Sequence, residues 1–341
     1  MGIQAQAPKR KIKVSTYLNI ILGVTLVVVV LFGWFYLNKK NPLPVIQNTL
    51  TPNTVPIPEY ISTIYGKTGD GMKMVYNTYS DGERIYVADT GNYRVAVFDY
   101  DGNFLHDIGK PDPEKKDKQD EGVLRSPFGI VVVNNEIYVT DTMTRMVHVF
   151  SLEGKFLRYF APKQILMPSS IYYKDDKFYI IDSLSQSVRV LDSSGKQLLG
   201  LGGRGGEEGK LNYPYGIYVD EENNIYVADS NNNRIQIFDE TGKLQSVWKG
   251  AEEGTSGGYS IPRGIAVDSK GNFYTAELLS NDIVVTAPDG SVKTRFSYGE
   301  PEKEGVTDKM IAPTSVFVDQ NQRLYVSEFG NSRVLVYQIR Y

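Results

Sequence analysis

Six in-phase copies of one 16-residue pattern constrain this chain more than any other feature. They read RIYVADTGNYRVAVFD, EIYVTDTMTRMVHVFS, KFYIIDSLSQSVRVLD, NIYVADSNNNRIQIFD, NFYTAELLSNDIVVTA and RLYVSEFGNSRVLVYQ, with the shared tyrosine at 86, 138, 179, 226, 274 and 325. A single unit of this size cannot bury its apolar face alone, so the copies must stack on one another. Spacings of 41 to 52 residues are too long for a leucine-rich repeat and suit the four strands of a propeller blade.

Within each copy the second half alternates, as in Val95 and Val97 or Ile235 and Ile237, which is the period of a strand. Ahead of five copies stands a proline-led apolar run: PFGIVVV, PSSIYY, PYGIYVD, PRGIAVD and PTSVFVD. Behind five copies a Gly-containing turn leads into a further strand, as in DGNFLHDIG and TGKLQSVWKG. Each unit is therefore expected to be four antiparallel strands joined by hairpins. The sixth copy reaches Tyr341 just after its third strand, and YISTIYG at 60–66 resembles the fourth strands, so it is expected to complete the last blade and remove an open edge. The expected fold is all-β, a six-bladed β-propeller over 60–341, with 24 tyrosines and 32 glycines matching many short strands and tight turns.

The repeats are preceded by YLNIILGVTLVVVVLFGWFYL at 17–37, which has no charge. At about 1.5 Å per helical residue it spans a hydrocarbon core of roughly 30 Å and reads as an uncleaved transmembrane helix. Lys9, Arg10, Lys11 and Lys13 precede it and Lys39 and Lys40 follow, which favours a cytoplasmic N-terminus at 1–16 and an extracytoplasmic propeller. Residues 38–59 are Pro-rich and read as a stiff linker. Six of the 37 basic residues and none of the 40 acidic ones lie in 1–40, so the remainder carries a net charge of about −9 and lacks a basic footprint for nucleic acid.

The run Pro-x-Gly-Ile, then IYVAD, then NNNRIQIFD and TGK resembles the NHL repeat, and the resemblance extends over 61–341 as six blades. It implies the propeller fold. NHL-like propellers include RNA-binding regulators, extracellular sensor domains and the metal-dependent enzymes of peptide amidation, so the resemblance implies no one activity.

Asp89, Asp141, Asp182, Asp229, Glu277 and Glu328 end the second strands, with Arg94, Arg234 and Arg333 five residues after their acids. An acid before a polar turn can accept backbone N–H groups and pair with arginine across the hairpin, so a structural role is expected rather than a metal ring. Variation at the arginine position supports this, with Met146 beside Arg145 in blade two, Ser187 in blade three and Asp282 in blade five. The chain has no cysteine and two histidines, His106 and His148 on separate units, which leaves little for thiolate or zinc chemistry. Asn77 is the one carboxamide or acid near the channel in the inner strands. No cofactor and no catalytic residue are expected.

Function should then lie in residues that differ between blades. Met143, Leu278, Leu279 and Phe329 are apolar side chains in turns where blade four has SNNN, and with Arg145 they mark a candidate binding face. The residues after each entering proline should ring the channel mouth, giving Val75, Phe128, Ser169, Tyr215, Arg263 and Thr314. Phe128, Tyr215 and Arg263 could stack on and hold a ligand there. The expected function is a membrane-anchored, extracytoplasmic module that binds another envelope protein or a surface ligand. A hydrolase or lyase with a channel site is the alternative.

Overall fold

A computed structural model describes residues 55, 57–111, 121–249, 258–298 and 308–341. The expectations for 1–16, 17–37 and most of 38–59 fall outside these residues. Among the described residues, no helix is long and apolar enough to cross a membrane.

Six four-stranded antiparallel sheets form six blades. Their first strands are Val75–Ser80, Pro127–Val133, Pro168–Lys174, Pro214–Val219, Pro262–Val267 and Pro313–Val318, and three further strands follow outward in sequence order in blades one to five. Each first strand packs against the first strands of the preceding and following blades, and the sixth packs against the first, so these strands line a closed ring. The fourth strand of blade six is Glu59–Ile64, paired antiparallel with Arg333–Gln338 through Tyr60 and Tyr337, Thr63 and Leu335, and Ile64 and Val334. The expected closure strand thus runs 59–64, and the residues after it turn into a short hairpin, Gly66–Lys67 against Asp70–Gly71.

Six apolar clusters make up the core, one at each blade interface. Between blades one and two, Tyr86, Val95 and Val97 meet Ile130, Ile137 and Phe150, and between blades six and one Tyr325, Val334 and Val336 meet Ile85, Val87 and Phe98. Both faces of a blade are therefore buried, which is why residues on the second face of the third strands, such as Phe98, Phe150 and Phe238, are apolar as well. The seam between the last and first blades also carries polar ties. Thr78 and Ser327 share a hydroxyl bond of 2.8 Å, and the Arg323 guanidinium lies 3.8 Å above the Tyr100 ring while donating to its carbonyl at 2.7 Å.

Proline and glycine at the start of the inner strands have distinct tasks. A Cβ on Gly129 would lie 2.7 Å from the Ser169 carbonyl oxygen of the next blade, so the chains converge too closely there for a side chain. The phased tyrosines face the blade interfaces, and the hydroxyls of Tyr86, Tyr226, Tyr274 and Tyr325 donate to Asp81, Asp220, Asp268 and Asp319 in the first hairpins of their own blades.

At the other end of each second strand, the buried acid holds the blade's start. Asp89 accepts the Lys73 N–H at 2.7 Å, Asp141 those of Arg125 and Ser126 at 2.6 and 2.9 Å, Asp182 that of Met167 at 3.1 Å, and Asp229 that of Asn212 at 2.6 Å. Arg94 and Arg234 each close on their acids through Nε at 2.7 Å, and Arg333 on Glu328 at 2.5 Å. Removing one partner of such a buried pair leaves the other charge uncompensated. Asp229→Ala should destabilise the propeller by about 3–5 kcal/mol in denaturant unfolding. Asp239→Ala, which alters an exposed hairpin acid, should change stability by less than about 1 kcal/mol. Equal losses from the two would overturn the assignment.

Candidate functional site

Departures from the repeat show which charges are committed to folding. In blade three, Ser187 stands at the arginine position, and Arg189 two residues later brings its Nε to 3.9 Å from Asp182. In blade two, Met146 supplies no cation and Asp141 takes two more turn amides, Met143 at 3.0 Å and Thr144 at 2.9 Å. Arg145 precedes Met146 with φ of 60°, matching Tyr93, Gln186, Asn233, Asn281 and Ser332, which are left-handed at the corresponding turn position. Its side chain is exposed. The repeated acids each face their own blade's turn, and among the described residues no three His, Asp or Glu side chains converge as a metal site.

Blade five departs furthest. Glu277 lies directly across from Asp282 rather than an arginine, is fully buried, and has one carboxyl oxygen, Oε1, without a partner. Burial pushes its carboxyl up to about 8, against the pull of the Ser260 N–H and Arg295, and Asp282 adds to the rise. The folded state therefore keeps a proton that an unfolded glutamic acid gives up near 4.5. Stability from this group is present at acid pH and lost as pH rises toward 8, by up to about 1.4 kcal/mol per pH unit. Glu277→Gln should flatten the fall of Tm between pH 5.5 and 8 and should be more stable than the native chain at pH 8. Parallel Tm curves for the two proteins would show that Glu277 does not hold the proton.

Four of the candidate residues come together at the end of the channel where the inner strands begin. The Phe128 ring lies 4.8 Å from Tyr215, and the Arg263 guanidinium is stacked 4.3 Å from the Tyr215 ring. Tyr76 joins them from blade one, 4.9 Å from Phe128 and 5.4 Å from Phe329 of blade six. The result is an aromatic cluster, Phe329, Tyr76, Phe128 and Tyr215, ended by one cation. Phe128 and Tyr215 are buried, whereas Tyr76, Arg263 and Phe329 are half-buried. The Tyr215 hydroxyl has no hydrogen-bond partner, and burial holds it well above the ordinary phenol range. Arg263 forms no ion pair among the described residues, and its buried Nε is unpaired.

Tyr76 was missed by the sequence reading, which placed Val75 in this ring. Val75 pairs with Asp89 as Pro127 pairs with Asp141 and Pro214 with Asp229, so it occupies the proline position and is fully buried. Blade one has no proline, and without that marker the frame slips by one residue. Counting back from the acid across the hairpin recovers it. Ser169 and Thr314 are buried, and the Thr314 hydroxyl donates to the Val75 carbonyl at 3.1 Å. Met143 and Leu279 are 70% and 67% exposed on the turns of blades two and five, and Leu278 is half-buried with its N–H on the Ile261 carbonyl at 3.3 Å.

The family model of the NHL repeat matches residues 211–238, in blade four. NHL repeat-containing protein 2 of Gallus gallus is 41% identical over 73 residues, 21% of this chain and 10% of that protein. NHL repeat-containing protein 3 of Mus musculus is 28% identical over 182 residues, 48% of this chain and 51% of that protein. The chain thus spans from a tenth to about half of the curated relatives it matches. A solved virginiamycin B lyase from Staphylococcus aureus, a catalytically inactive form with quinupristin, superposes with a TM-score of 0.53 at 13% identity, covering 78% of this chain and 80% of that one. At such identity the likeness is one of fold. The repeat match and the six-bladed architecture together support the NHL propeller family.

Proposed function

We propose that this chain is a membrane-anchored binding module whose propeller stands outside the cytoplasm and engages a protein partner at the Tyr76, Phe128, Tyr215, Arg263 and Phe329 mouth. The observation that carries this reading is Arg263: a guanidinium stacked on Tyr215, at the end of an aromatic cluster, with no carboxylate partner among the described residues. Half-buried aromatics and arginine are the side chains on which interface energy concentrates. A partner that presents an apolar side chain beside a carboxylate would cover the rings and pair with Arg263, replacing water at a planar donor that favours two-point contact. The anchor and its orientation rest on the uncharged run at 17–37 and the basic residues before it.

A lyase or hydrolase in the channel is the competing reading, prompted by the fold of the virginiamycin B lyase. The lining of the central channel favours binding over it, because among the described residues these side chains are apolar, hydroxyl or amide groups without an acid or base that titrates near neutral pH.

Two measurements on the full-length protein test the proposal. Since the chain has no cysteine, Ser194→Cys gives a single thiol, and a membrane-impermeant maleimide should label it in intact cells. Labelling only after lysis would place the propeller inside. A photo-crosslinking residue at Tyr76 should capture a discrete partner, with capture reduced at least about tenfold by Arg263→Ala. Capture unchanged by Arg263→Ala would remove the mouth from the interaction.

A further inference from the structure

The other half of the channel is chemically different. A cavity of roughly 370 Å³ extends from Tyr215 along the inner strands toward their far ends. The residues that pair with the six phased tyrosines form one tier of its wall: Tyr79, Val131, Tyr172, Tyr218, Ala266 and Phe317. Four of these are aromatic, and they fall into two pairs on opposite sides of the ring. Tyr79 and Phe317 lie 4.8 Å apart at the seam of blades one and six, and Tyr172 and Tyr218 lie 5.5 Å apart between blades three and four. Val131 and Ala266 separate the pairs. Two aromatic pairs thus line opposite arcs of the ring, with smaller side chains between them.

Polarity at this end is also distinctive. Among the described residues no charged side chain lines the cavity, and Ser170, 7% exposed, contributes a hydroxyl-bearing side chain to its wall. Burial pushes the Tyr218 phenol up to about 12, so its ring stays neutral. The six hairpins that join first to second strands surround this mouth and, with the residue on either side of each, carry ten carboxylates against five basic side chains. The Lys174 ammonium lies 3.6 Å from Asp175 and 3.4 Å from Glu221, so this rim cation already has acidic partners. The field at the mouth is that of a net negative collar around a neutral aromatic channel.

A negative collar attracts cations, but the channel offers no carboxylate to replace the water lost by a metal ion or a primary ammonium. A quaternary ammonium has no N–H groups to satisfy and is weakly hydrated, and aromatic faces attract it through their quadrupoles. We infer that the channel binds a quaternary ammonium head group between the Tyr79–Phe317 and Tyr172–Tyr218 walls. A cavity of this size holds such a head group with a short polar arm, for which Ser170 is an available hydroxyl partner. The site is separate from the protein-binding mouth, on the other side of Tyr215.

The test is a calorimetric or ligand-observed NMR titration of the full-length protein with choline and with 3,3-dimethylbutan-1-ol, its uncharged carbon isostere. Choline should bind saturably and at least about tenfold more tightly than the isostere. Tyr218→Leu should weaken choline binding by about tenfold, whereas Tyr218→Phe, which keeps the ring, should retain it within about threefold. Equal affinity for choline and the isostere would overturn the inference, since the cavity would then select apolar volume and not charge. So would the absence of saturable choline binding below about 50 mM. Equal loss in the leucine and phenylalanine variants would point to the Tyr218 hydroxyl or to folding, and would remove the aromatic wall as the recognition element.

Discussion

The structure depends on a buried acid at the end of each second strand. It binds the backbone that leads into its own blade, and in blades one, four and six it also binds an arginine at the start of the third strand. One side chain thereby fixes three pieces of chain: the incoming connection, the turn and the third strand. With those fixed, the inner strand starts at the same height in every blade, and the side chain after the proline position is delivered to the channel mouth. The aromatic cluster exists because six such starts are held level.

The blades that break the pattern keep the anchoring and change the chemistry. Asp141 replaces a cation with extra turn amides, and Asp182 reaches an arginine two residues farther on. Glu277 faces Asp282 and keeps a proton instead. A buried acid requires hydrogen-bond donors, a counter-charge or a proton, and a guanidinium is only one of the ways to meet that need. That tolerance explains why the acid recurs in every blade while the arginine does not.

Ring closure gives the channel two unlike ends. Neighbouring inner strands approach closely at Gly216, where a Cβ would meet the Arg263 carbonyl, and there the Tyr215 ring and the Arg263 guanidinium stack, with Phe128 reaching Tyr215 from blade two. Farther along the same strands, the tier paired with the phased tyrosines opens into the cavity. Apart from Phe329, which reaches the mouth from the turn after a second strand, both sets come from first strands.

The sequence by itself determined the blade number, the four-strand unit and the closing strand, because period and phase are local properties repeated six times over. The acid and arginine positions and three of the mouth residues, Phe128, Tyr215 and Arg263, could be read from the same register. Tyr76 needed the count back from Asp89 across the hairpin, since blade one lacks the proline that marks the frame, and Phe329 was legible only as an apolar turn residue. Its contact with Tyr76 joins positions 253 residues apart across the seam where the ring closes. The opposed aromatic walls are likewise a product of the ring. Tyr79, Tyr172, Tyr218 and Phe317 are ordinary strand residues in sequence, and only six-fold closure places one pair opposite the other, because facing across a channel is a property of the whole circle and of no single blade.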